Sequence, residues 1–535
     1  GAFLTKTASE WEEIMIEFRV PGVAVRTMDE WKHSAHVQQS GLIDGNRLAN
    51  IGWLQHAKRC VHYVKKSFDG PHLLTNFKVL DLCNVIAGPT IGYMFARMGA
   101  DVIKIDPPQP FYAPEVSVIY GIATNQGKKS ILLDVYSHKG RIVLEQLMKD
   151  ADVIIVNCTT DCLRRMHLTR EEIYHVNPNL ILMQFDAFGG PIDGEGSLSN
   201  NIGYDDCVQA CSGIMTRFGG GVFTPEEHAQ VGLIDVVSGV AGATVCVVAL
   251  LEREENGVVY TARSSLAAVG QFLQFPQLMN AQRNVCGVGK KCIGEDEYHR
   301  CYQAKDGNYL MLVCFSDCAK RSLCKLLKGP PCDDSFVSWN IDDICQRLQS
   351  EGIAAYPLQN MASLRRKYMT TNLDNRKTFQ FLLHDHPIGM LEMVAPVAIR
   401  APGVVRHISF APKYGIHTNE ILKQMNVDTI NMTTSWSRSY IPYNSVCNKC
   451  NEKGCKKFSL VCNHTVCFRC LAFSVDMCPI CNFPHALHSI IRKRIHEHRD
   501  GYSNWRMGKT QGCRDMESIV RPLDILKKSK SNPRF

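Results

Sequence analysis

KVLDLCNVIAGPTIGYMFARMGADVIKID, residues 78–106, passes from one short apolar run to another through a stretch with apolar residues at helical spacing. VLDLC (79–83) reads as a buried strand, the middle as a helix, and DVIKID (101–106) as a second strand. The same alternation continues outward. SILLDV (130–135), ADVIIVN (151–157) and NLILMQFDAFG (179–189) read as further strands, and HKGRIVLEQLMKD between them as a helix. Strands alternating with amphipathic helices predict an α/β domain built on a parallel, Rossmann-like sheet. The Gly-rich dinucleotide fingerprint is absent after the first strand, where AGPTIG stands instead, which argues against a nicotinamide enzyme.

With 535 residues and 45% hydrophobic content, the chain is long enough for more than one domain. It carries 24 cysteines, eight of them within 447–481, and shows no secretory signal, so a reducing, cytoplasmic setting is expected, with organellar import left open. The first residue is Gly, consistent with a fragment or a processed product. The net charge of +8 is uneven: residues 485–535 hold twelve Lys/Arg against five Asp/Glu. Such a basic tail is either solvated or meets acidic partners. Residues 10–31 also align without gaps on residues 343–364, each reading as helix, extended segment and turn into another helix.

A lone carboxylate, Asp235, heads the apolar run of 229–254. A buried charge is costly unless paired, hydrogen-bonded or used. The run has the length of a membrane span, but its small residues (Gly239, Ala241, Gly242, Ala243) and charged end fit a buried helix, and no membrane partner is expected. The residues alone allow Asp235 to be a helix cap without chemistry or a nucleophile.

The segment at 78–106, with NQGKKSILLDV (125–135), ADVIIVNCTTDCLRRMHL (151–168), NIGYDDCVQACSGIM (201–215), VGLIDVVSGVAGATVCVVALLERE (231–254), DGNYLMLV (306–313) and GIHTNEIL (415–422), resembles in order and spacing the family III CoA-transferases, the CaiB/BaiF family. The resemblance implies a Rossmann-like family III CoA-transferase fold with a small α+β subdomain over residues 76–425. Residues 1–42 would be the tail of a preceding unit of the same kind and 43–75 a connecting segment. It implies coenzyme A as a substrate exchanged between an acyl-CoA and a carboxylic acid, with Asp235 attacking the thioester to form an aspartyl-acyl anhydride. Homodimerisation or intramolecular tandem pairing is also implied. Tyr204 stands where the racemase branch carries histidine. A phenol is a poor base near neutral pH, so transfer is preferred to 2-methylacyl-CoA racemisation. By the same resemblance Arg165 and Asn157 would face the CoA pyrophosphate. Leu133 and Asp134 would line the adenosine end, with Lys104, Lys128 and Lys129 nearby, each of which could equally be an ordinary solvated charge. His167 replaces the family's glycine and is expected to crowd the groove.

Residues 447–481 read C-x2-C-x11-C-x-H-x2-C-x2-C-x7-C-x2-C, a metal-ligand pattern that resembles a RING finger. Cys447, Cys450, Cys467 and Cys470 would hold one structural zinc, and Cys462, His464, Cys478 and Cys481 a second. A small zinc-stabilised RING-like domain at 447–484 is therefore expected, after a linker at 426–446 and before the basic tail 485–535. Asn448, Lys449 and Asn482 occupy the positions a RING uses to recruit a ubiquitin-conjugating enzyme. A protein-interaction role is therefore as open to the module as ubiquitin ligase activity. The other reading of the whole chain is a RING adaptor or ubiquitin ligase with a non-catalytic CoA-transferase-like scaffold.

Overall fold

A computed structural model describes residues 2–43, 50–108, 120–192, 196–227, 232–278, 293–360, 362–364, 403–405 and 408–425, together with the strands at 380–386, 389–395, 457–459 and 465–467. Residues 1–358 and 376–427 form one compact unit; residues 359–375 and 428–535 form another.

The first unit is organised by a seven-stranded sheet: β1 (Trp53–Arg59), β2 (Lys78–Asp81), β3 (Asp101–Asp106), β4 (Lys129–Leu132), β5 (Val153–Asn157), β6 (Ile181–Asp186) and β7 (Val258–Ser265), in the order 1-7-6-5-2-3-4. All neighbours are parallel except β1, which runs antiparallel to β7. Strands β2, β3 and β4 extend one way from the centre and β5, β6 and β7 the other. The order therefore reverses between β2 and β5, leaving a crevice at the carboxyl ends of those two strands. Strands β5 and β6 are almost wholly buried, as the continuous apolar runs require for a sheet covered on both faces.

The stretch read as a connecting segment, 43–75, supplies the edge strand β1, and β7 was not foreseen either. Residues after β1 are tied down by a buried charge cluster: Arg253 meets Asp152 at 2.9 Å and Glu254 at 2.7 Å, Lys66 meets Asp152 at 2.7 Å, and the Tyr63 hydroxyl donates to Glu254. Residues 2–43, expected to end a preceding unit, are packed into this unit's core. Trp31, Val37 and Leu42 are buried there, and the Trp31 indole donates to Gln271 at 2.9 Å. At the other edge, residues 415–418 cover β4: its Ser130 and Leu132 amides donate to His417 and Thr418 side chains, each at 3.0 Å.

The apolar run becomes a single helix, Leu233–Asn256, ended by Gly257 in the left-handed conformation at φ 64°. It is long and apolar enough to cross a membrane, but most of it is buried against the helix Ala87–Arg97 and the sheet. The small residues noted in the sequence allow that approach. A Cβ on Gly239 would stand 2.4 Å from Thr90 Cβ, and one on Gly242 2.6 Å from Ile91 Cδ1. One face stays uncovered, with Leu233, Val236, Val240, Val248 and Leu251 exposed.

A small antiparallel sheet in the order β11-β10-β9-β8 joins β8 (Gly294–Asp296), β9 (His299–Gln303), β10 (Tyr309–Val313) and β11 (Ala354–Pro357). It has its own core, with Tyr302, Leu310, Leu312, Leu323, Phe336, Ile344 and Leu348 buried. This is the α+β subdomain. The aligned sequences at 10–31 and 343–364 each contain a helix, Ala8–Glu17 and Ile341–Ser350; the second is followed by strand β11, whereas residues 20–27 form no regular element.

In the second unit, strands Lys457–Ser459 and Thr465–Cys467 pair antiparallel. The expected zinc ligands Cys447, Cys450, Cys462, His464, Cys470, Cys478 and Cys481 lie outside the described residues, as does the basic tail; of Cys467 only the backbone is described. Among the described residues no cluster suited to a metal ion occurs.

Candidate active site

Asp235 is the third residue of its helix and is 7% exposed. Its backbone N–H donates to Asp205 Oδ2 at 2.9 Å, so a carboxylate from thirty residues earlier caps this helix. Asp205 begins the helix Asp205–Cys211 immediately after Tyr204, which is half-buried, and its other oxygen accepts from Gln209. Burial, followed by the charges of Asp205 and Asp206, pushes the Asp235 carboxyl up to about 7. Desolvation and like charge thus outweigh the favourable field that a helix start offers a carboxylate. Sequence reasoning missed Asp205; the doubled aspartate in GYDD was its only signal.

The Asp235 carboxylate lies over Gly232, which has φ 64°. A Cβ there would stand 3.5 Å from Asp235 Oδ2 and 3.1 Å from Ile86 Cδ1. Ile86 follows β2 in the crevice loop, where Val85 holds φ 67°, a strained conformation for a β-branched residue. That loop is locked to β5: Asn84 N donates to Asn157 Oδ1 at 2.9 Å, and Asn157 Nδ2 donates to Asn84 O at 2.7 Å. The three loop residues Asn84–Ile86 thus lie between Asn157 at the end of β5 and Gly232 at the start of the Asp235 helix.

The remaining expected CoA contacts divide. Arg165 is exposed at the end of the helix Thr160–Arg165 that follows β5. Asp134 is half-exposed and accepts from Tyr136 N at 3.1 Å. Leu133 is 1% exposed, so its side chain belongs to the core and does not line a groove. Lys104 and Lys128 require correction. Lys104 is buried against Asp106; Lys128 is buried against Asp81 at 2.7 Å and also donates to Pro89 O and Asn125 Oδ1. Their ammonium charges are neutralised inside the protein instead of standing free for phosphates. Gly92 explains the space, since a Cβ there would stand 2.5 Å from Asp81 Oδ2. Lys129 is at the surface and pairs with Asp101 at 2.7 Å. His167 does not crowd the groove: its side chain is exposed and meets Glu172 at 2.9 Å. Its φ of 51° explains why glycine suits this position.

A doubly wound sheet with a buried carboxylate at the head of a core helix defines the class, an α/β protein of Rossmann-like topology. The family model described as CoA-transferase family III matches residues 74–418, and the chain belongs to that family. It is 27% identical over 508 residues to the CoA-transferase/lyase DddD of Marinomonas sp. (strain MWYL1), covering 82% of this chain and 60% of that protein. It is 29% identical over 297 residues to the succinate–glutarate CoA-transferase of Agrobacterium fabrum, covering 52% of this chain and 72% of that one. The chain thus spans less than two thirds of the first of these relatives. Among solved structures it is similar to the Rv3272 protein of Mycobacterium tuberculosis, with TM-score 0.55, 22% identity, and coverage of 66% of this chain and 99% of that one. A CaiB/BaiF family protein from Brucella suis gives TM-score 0.52 and 23% identity, covering 66% and 100%. These likenesses show the shared fold.

Proposed function

We propose that the protein transfers CoA between carboxylic acids through an anhydride at Asp235. The supporting observation is a nearly buried carboxylate at the head of a core helix, beside the switch-point crevice, in a chain of this family. An ionised Asp235 oxygen attacks the thioester carbonyl. The C–S bond breaks and CoA departs as thiolate, leaving an aspartyl-acyl anhydride. An acceptor carboxylate attacks the aspartyl carbonyl of the anhydride, the donor acid departs as its carboxylate, and CoA thiolate then attacks the acceptor's carbonyl, restoring the aspartate. Burial limits hydrolysis of the anhydride. Asp205 positions the nucleophile by holding its peptide N–H. On this reading Asn157 and Arg165 serve the CoA pyrophosphate, with Asp134 beside the adenosine end, and Tyr204, which directly precedes the capping Asp205, is a further catalytic residue. Asp235→Ala is expected to lower CoA transfer by ~10³-fold or more while the far-ultraviolet circular dichroism stays unchanged. Near-normal transfer by that variant would refute the covalent route.

A second reading has a specific observation behind it. Lys104 and Lys128 are occupied by Asp106 and Asp81, which leaves fewer cations for a nucleotide and suits a non-catalytic scaffold carrying a RING-type adaptor. Wild-type protein that transfers no CoA from any of a panel of acyl-CoAs would favour it. In either reading the ligand spacing of 447–481 supports two structural zincs and a protein partner at that module. The uncovered apolar stripe on the Asp235 helix supports pairing with a second CoA-transferase-like unit. A reducing, cytoplasmic setting belongs to the same proposal, since the described cysteines are free thiols. Recovery from a secreted fraction would count against it.

A further inference from the structure

Lys128 directly precedes β4, and its side chain is wholly enclosed, as is that of Asp81 at the end of β2. Its ammonium has three N–H donors and meets three acceptors: Asp81 Oδ2 at 2.7 Å, Pro89 O at 2.7 Å and Asn125 Oδ1 at 3.0 Å. Asp81 Oδ1 accepts in turn from Cys83 N at 2.9 Å. The ion pair therefore grips the loop after β2 at both ends: at Cys83, and in the first turn of the helix Ala87–Arg97, which has no side-chain cap of its own. Between these points lie Val85, at φ 67°, and Ile86, the residue against Gly232. A strained residue such as Val85 keeps its conformation only where its surroundings over-determine it. A buried ion pair is a poor means of stabilising a core, because desolvation cancels much of the Coulomb gain. This one does what an apolar pair could not, since it reaches a backbone N–H and a backbone C=O on two sides of one loop.

We propose that Lys128 is a positioning residue for acyl transfer: through Asp81 and Pro89 it holds the 82–86 loop so that Ile86 backs onto the start of the Asp235 helix. The proposal rests on the reading of Asp235 as nucleophile and adds to it a residue that touches neither the acyl group nor CoA. The enclosed ammonium would have to leave all three acceptors to meet a phosphate, so its loss should disturb the loop and not the binding of CoA. Lys128→Met alone strands a buried carboxylate and endangers folding. Asp81→Asn combined with Lys128→Met removes both charges at similar volume, and the new amide oxygen can still accept from Cys83 N. Pro89 O and Asn125 Oδ1 then lose their donor, which releases the helix end of the loop.

The test compares the full-length wild type with the Asp81→Asn/Lys128→Met double variant. Hydrogen–deuterium exchange without substrate should quicken at least about tenfold in peptides covering 82–92 and stay unchanged over β5 and β6. Acylation of Asp235 by succinyl-CoA, read as hydroxamate after hydroxylamine, should slow at least about tenfold at saturation. The half-saturating concentration should change by less than about twofold. Exchange unchanged over 82–92, or raised equally across the whole sheet, would overturn the proposal. So would a loosened loop with normal acylation, or a higher half-saturating concentration at normal maximal rate, which belongs to a phosphate contact. A wild type that succinyl-CoA leaves unacylated would remove the nucleophile reading, and with it any role in transfer, whatever the loop exchange shows.

Discussion

Asp235 carries two demands that pull in opposite directions. The proposed anhydride chemistry needs an ionised oxygen in a dry place, and dryness itself favours the protonated form. Burial and the neighbouring Asp205 and Asp206 raise its carboxyl to about 7, so near neutrality half the molecules hold the reactive form. The expected consequence is a transfer rate that rises with pH to a plateau, with its midpoint close to 7. Removing a like charge must move that midpoint down. Asp205→Asn keeps an oxygen that can accept from the Asp235 N–H, so it isolates the charge effect from the cap. A profile flat from pH 5 to 8, or one that moves upward in Asp205→Asn, would contradict this account. The sequence displayed Asp235 because a charge in an apolar run is conspicuous. It concealed Asp205, whose role depends on two helix starts meeting in space. Lys104 and Lys128 were misjudged for the same reason, because a lysine's partner is a matter of tertiary packing.

The helix Leu233–Asn256 shows how far periodicity reaches. Its length and its small residues predicted a core helix, and Gly239 and Gly242 are where the helix Ala87–Arg97 presses closest. An all-round apolar pattern cannot say which face stays open. That face is the stripe from Leu233 through Val240 to Leu251. If it meets a second unit, the purified 60.0 kDa chain should sediment as a dimer at micromolar concentration, and Val240→Glu should give monomers. A monomeric wild type would show that the stripe has another purpose. The central strands were legible because both-face burial demands continuous apolar runs. Strand β1 was not: its sequence, WLQHAKR, is an exposed edge interrupted by a bulge after Gln55, with His56 at φ 56°.

At the scale of the whole molecule, two units of different physical character share one chain. The first rests on a large apolar core, in which residues 2–43 take part through Trp31 and Val37. Neither that packing nor the tie between Tyr63, Lys66, Asp152, Arg253 and Glu254 could be read from the sequence, since each joins segments far apart in the chain. The second unit holds the paired Cys/His spacing, at which the proposed metal coordination would substitute for apolar burial. Two zincs per chain are expected by atomic emission, and a strong chelator should release them without abolishing CoA transfer. A stoichiometry near zero or one would remove the two-site reading.

The central claim is that acyl groups reside covalently on Asp235. Wild-type protein is incubated with an acyl-CoA in the absence of acceptor, treated with hydroxylamine, digested and mapped by mass spectrometry. The account predicts a hydroxamate at Asp235 that requires acyl-CoA and is absent when CoA alone is supplied. An unmodified Asp235 in a preparation that turns over, or a hydroxamate at Asp205 instead, would contradict it.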